Sequence, residues 1–140
     1  MVNYPGSFSG RLVRRPEVEW ATVQTVRVSA EQNGHNLTTE IITNIGVNGR
    51  EFNLNFNYES LINPVHLVIA TLVDDEQFNQ DNPVVLEDLV LDALFTIPHF
   101  LHSGSLISND VVVDTGNVLW CSGKLIYTFN LPIIRLVLQG

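Results

Sequence analysis

A chain of 140 residues, 45% apolar and with one cysteine, can bury a core without a metal or a disulfide. Cys121 alone excludes an internal disulfide framework. The formal net charge of −8 is uneven: residues 51–123 carry eleven acids and no lysine or arginine, which excludes ordinary binding to a phosphate backbone. The longest apolar runs, VHLVIATLV and LPIIRLVL, are too short to span a bilayer. No apolar signal-like stretch opens the chain, so no targeting segment is expected. The length predicts a single domain over residues 1–140.

Residues 1–16 are punctuated by Pro5, Gly6, Gly10 and Pro16 and read as an irregular N-terminal arm. WATVQTVRVSA, NLTTEIITNIG and REFNLNFNY follow, separated by Asn33-Gly34 and Asn48-Gly49. Those turn dipeptides predict three strands in an antiparallel meander. In the third, Phe52, Leu54 and Phe56 alternate with Asn53, Asn55 and Asn57, the pattern of a half-buried strand. VHLVIATLV is apolar on both faces and reads as a covered central strand.

The one predicted helix is PVVLEDLVLDALFTI, residues 83–97. Asn82 would cap it and Pro83 would open it. At helical spacing Leu86, Leu89, Val90, Ala93 and Ile97 share one face, while Val84, Leu91 and Phe95 fall opposite. The second stripe must be covered by the arm or by another subunit. After Pro98, SLISNDVVVD, GNVLWCSGKLIYTFNL and IIRLVLQ read as closing strands. The expected fold is α+β: a mostly antiparallel sheet with one principal helix on a face.

The chemical motifs are sparse. Asp114-Thr115-Gly116 after three valines has the local form of an aspartic protease, which requires a second carboxylate sharing one proton. No second such motif exists and only 24 residues follow Gly116; the reading is a turn, with Val111, Val112, Val113 and Leu119 feeding the core. GSFSG has Phe8 where a nucleophile elbow needs its serine. Cys121 reads as a buried small hydrophobe. His99 and His102 lack a third ligand in register. The loop from Asp75 fails the EF-hand at Gln80 and Leu86. No enzyme activity, cofactor or metal is therefore expected. Asp74, Asp75, Glu76, Asp81, Glu87, Asp88 and Asp92 form a candidate acidic surface, suited to a cationic partner or to a wall that DNA slides past.

The order of apolar strand, polar linker, acid-bearing helix and two closing strands around DTGNVLWCSGKLIYTF, over residues 65–130, resembles the tail-terminator and tail-completion proteins of long-tailed bacteriophages. The first half departs from them, having a meander where they usually have a helix. The resemblance implies a non-enzymatic virion subunit, assembled in the host cytoplasm, that forms a homo-oligomeric ring at the tail end or head–tail junction. Its partners would be its own copies and neighbouring virion proteins, with no specific nucleic-acid binding and no membrane. The candidate subunit interface is Val84, Leu91 and Phe95 together with Arg11, Arg14 and Arg15. The alternative is a small acidic binding or inhibitor protein acting on a basic, nucleic-acid-handling partner.

Overall fold

The computed structural model describes residues 4–15, 24–58, 60, 63–71, 83–93, 99–100, 104–121 and 123–129. Among these the protein is all-β, with eleven strands in two antiparallel sheets and no helix. The α+β expectation is therefore corrected.

The five-stranded sheet runs β10 (Val118–Leu119), β6 (Val84–Ala93), β1 (Tyr4–Arg14), β4 (Arg50–Tyr58), with β7 (His99–Phe100) also on β6. The six-stranded sheet runs β3 (His35–Ile45), β2 (Gln24–Gln32), β5 (Val65–Thr71), β11 (Lys124–Phe129), β8 (Gly104–Ser108), β9 (Val111–Gly116). Their inner faces meet in one core. Phe8, Leu12, Leu54, Phe56 and Leu91 come from the first sheet; Val28, Leu67, Ile69, Leu125 and Tyr127 come from the second. This is the arrangement of a β-sandwich.

The predicted helix is strand β6. Val84 and Leu86 are buried, then Leu89 and Leu91. That is a period of two interrupted once. The interruption is at Asp88, whose φ is +55°. There the register against β1 shifts, from Arg11 opposite Glu87 to Ser9 opposite Val90. Two residues of β6 thus face Gly10 alone, which is a β-bulge. The extra residue moves the second apolar pair by one position, and the broken alternation imitates a helical spacing. Ile97, at the end of the predicted helix, lies outside the described residues.

The expected arm is strand β1, paired on both edges, to β4 and to β6. Gly6 and Gly10 looked like loop punctuation. Instead they stand opposite Phe56 and Phe52. A Cβ on Gly6 would lie 2.9 Å from the Phe56 ring, and one on Gly10 would lie 3.2 Å from the Phe52 ring. The glycines make room for aromatic side chains that lie over the strand. Phe8, between them, is fully buried and stacks with Phe56 at 5.3 Å between centroids.

The meander holds for its first hairpin only. β2 and β3 pair around Asn33 and Gly34, both at positive φ. β4 instead crosses to the other sheet, where it pairs with β1. The crossing is made by the turn at 46–49, whose Gly46 carbonyl accepts from the Gly49 and Arg14 amides, each at 3.0 Å. The alternation in β4 is as expected: Phe52, Leu54, Phe56 and Tyr58 are buried and the three asparagines exposed. β5 lies between β2 and β11, a central strand as its apolar run required. Buried Gln32 ties the next loop to β2, donating to the carbonyls of Ser60 (2.8 Å) and Asn63 (3.0 Å) and accepting from the Ser60 amide (3.1 Å). No described helix is long and apolar enough to cross a membrane. The expected last strand at 133–139 lies outside the described residues.

Candidate functional site

Asp114 sits near the end of edge strand β9 and not in the hairpin turn, which is Asn109-Asp110 at φ +53° and +62°. Its two carboxylate oxygens accept from the Thr115 amide (2.8 Å) and from the Trp120 indole N–H (2.9 Å). These bonds fix the side chain in place on the surface. Cys121 is partly buried, and burial pushes its thiol up; a hydrogen bond with Ser108 opposes that, and the Asp114 charge adds to it. A raised thiol is a poor nucleophile at neutral pH. Among the described residues no three His, Cys, Asp or Glu side chains cluster to hold a metal. His99 lies in β7; His102 and the Asp75 loop lie outside the described residues.

The proposed subunit stripe is not a surface. Val84 and Leu91 are 1% and 0% exposed, because β6 is a strand of the core; Phe95 lies outside the described residues. The three arginines serve contacts within the chain. Arg11 donates to the Asn48 carbonyl. Arg14 is buried, and its backbone N–H donates to Gly46. Arg15 pairs with Glu87 at 2.8 Å, half-exposed, an arrangement that contributes about 0–1 kcal/mol. Of the acidic surface, Glu87 is engaged in that pair, while Asp88 and Asp92 are exposed on β6. Asp74, Asp75, Glu76 and Asp81 lie outside the described residues.

The feature that stands out is the far end of the six-stranded sheet. Among the described residues β9 has a strand neighbour on one side only, β8. Val111, Val112 and Val113 are 59%, 55% and 43% exposed. Their expected place in the core is corrected; Leu119 alone of that group is buried. The register explains the difference. Leu106 of β8 points inward and pairs with Asp114, whereas Ile107 pairs with Val112, so Val113 is the extra residue of a bulge.

Cross-strand pairing places Ile107 beside Val112, Ser105 beside Ile126, Ile126 beside Val68, and Thr128 and Glu31 on either side of His66. These residues line an open groove of about 370 Å³ on the outer face, running from Glu31 on β2 to Val112 on β9. Its floor is aliphatic. Its far end is polar, with His66 Nδ1 3.0 Å from Thr128 Oγ1. The groove therefore opens onto the valine edge. Sequence reasoning missed both features. The run VVVDT lacks the polar alternation of a one-sided strand, but nothing in it says that the strand lies last in its sheet.

No family model and no curated protein matches this chain. A solved structure described as "vCBM60 in complex with galactobiose" is similar over 89% of this chain and 97% of that chain, at 14% identity and a TM-score of 0.47.

Proposed function

We propose that this chain is a non-catalytic binding module that takes a protein partner along the free β9 edge of its six-stranded sheet. One observation carries the reading: three consecutive exposed valines on a strand that has, among the described residues, a single neighbour. An edge strand presents unpaired N–H and C=O groups, and proteins ordinarily blunt such edges with lysine, proline or a covering element. Here, among the described residues, the edge is apolar and unpaired, which suits recognition by strand addition.

The ring-subunit expectation drew on a second helical stripe and on a clasping arm. With residues 84–93 in a core strand and residues 4–14 in a strand flanked by β4 and β6, those supports are gone. A free edge could still join copies of the chain, so the test must separate the two. A photo-cross-linking residue placed at position 112 in cells of the native source is expected to yield a discrete adduct with a different protein. The same residue at exposed position 55, on β4, is expected to yield none. Equal labelling from both positions, or none from 112, would overturn the reading. An adduct of the chain with itself would return the ring.

A further inference from the structure

We infer that the occupant of the β9 edge is an extended basic segment, adding as an antiparallel strand with apolar residues against the valines and cationic residues at either end. This rests on the binding-module reading above.

The valines are bracketed by carboxylates. Asp110 lies in the turn before Val111, and Asp114 follows Val113. Both are exposed. Asp114 is held in position by the Trp120 indole and the Thr115 amide, so its charge is presented without further ordering. Residues 51–123 hold no lysine or arginine, and Lys124 stands two strands away, on β11 opposite Ile107.

A second copy of the chain fits this edge badly. Antiparallel self-pairing with Val112 on the two-fold axis sets Asp110 of each copy opposite Asp114 of the other. With Val113 on the axis, Asp114 faces Val112 and Asp110 faces Gly116. Every register that overlaps the valines brings four carboxylates onto one short ladder, and like charges opposed across strands destabilise the pair. The net charge of −8 on each copy adds to the repulsion. A strand with lysine or arginine opposite Asp110 and Asp114 reverses both effects. Its central residue, opposite Val112, would also lie at the mouth of the groove, so a β-branched side chain there extends the aliphatic floor formed by Ile107 and Ile126.

The probe is the peptide acetyl-Arg-Lys-Val-Thr-Val-Lys-Arg-amide, titrated into the full chain and followed by amide NMR. Shifts should centre on residues 110–115 and binding should weaken with salt. The double variant Asp110→Asn, Asp114→Asn should bind about three- to tenfold more weakly. Two further peptides carry N-methyl groups on alternate residues, one set for each parity. Strand addition predicts that one set loses binding and the other keeps it, because only one parity of amides faces the edge. Equal binding of both sets would show attraction by charge alone and overturn strand addition. Equal binding of a peptide with glutamate at the basic positions would overturn the charge assignment. Sedimentation velocity showing self-association that Val112→Lys abolishes would make a second copy the occupant, against the inference. Failure of the probe to bind would also overturn it, while the position-112 cross-link would still decide the broader reading.

Discussion

Leu91→Asp is expected to unfold the protein or to lower its thermal midpoint by roughly 10–20 °C. Leu91 has no exposed surface and belongs to the core shared by both sheets. On β1 it stands opposite Phe8, itself fully buried. Truncating a buried leucine costs about 2–5 kcal/mol, and an unpaired buried carboxylate adds to that. Total stability of a small domain is about 5–15 kcal/mol, so the change consumes much of it. Asp92→Ala, one residue on and exposed, should stay within about 0.5 kcal/mol of the parent. Chemical denaturation of the two variants checks this. If residues 83–97 formed a helix with Leu91 on a subunit-facing stripe, Leu91→Asp would alter assembly and spare the monomer. A folded Leu91→Asp monomer would contradict strand β6.

The second large effect is expected at Gly123, where the chain enters β11. Both of its backbone groups are engaged: the amide donates to Thr71 Oγ1 at 3.0 Å, and the carbonyl accepts from the Thr71 amide at 2.9 Å. A Cβ there would lie 2.2 Å from the Ile107 carbonyl oxygen, which is backbone and cannot swing aside. Gly123→Ala must therefore push β8 away from β11 or break the clamp on β5. The expected loss is about 2–4 kcal/mol, from overpacking together with strained hydrogen bonds. Gly34→Ala provides the contrast. Its added Cβ meets nothing within 4 Å, so its cost comes only from placing alanine at φ +76° and should be about 1–2 kcal/mol. Urea unfolding of both variants compares them; Gly123→Ala no worse than Gly34→Ala would refute the close approach of β8 to β11.

Local rules made part of the fold legible. Asn33-Gly34 gave the β2–β3 hairpin, because both residues accept the positive φ that the turn requires. The alternation in REFNLNFNY gave β4 and its buried face, and the doubly apolar VHLVIATLV gave a central strand. The failures have specific causes. Gly6 and Gly10 looked like loop residues because their partners, the rings of Phe56 and Phe52, lie 50 and 42 residues away in sequence. The bulge at Asp88 displaced one apolar pair and made a strand look helical. Asn48-Gly49 was recognised as a turn, but nothing local says that it carries the chain between sheets and not along one.

The site was less legible than the fold. Asp114-Thr115-Gly116 drew notice as a protease motif, and the same run turns out to hold the edge residues that matter here. Burial of the valines was the natural expectation for β-branched residues in a row. Whether such a strand is interior or last in its sheet depends on long-range order, β11 beside β8 beside β9, which no local pattern encodes.

A β9 edge that takes a partner must be open in the free protein. Residue-resolved hydrogen exchange on the purified chain tests it directly. An open edge predicts mixed protection within residues 111–114, broken in its alternation at the Val113 bulge: amides bonded to β8 exchange slowly, and those on the other edge exchange near the rate of an unstructured peptide. Uniform protection of all four amides at low protein concentration would show that the edge is already covered and not open to a partner.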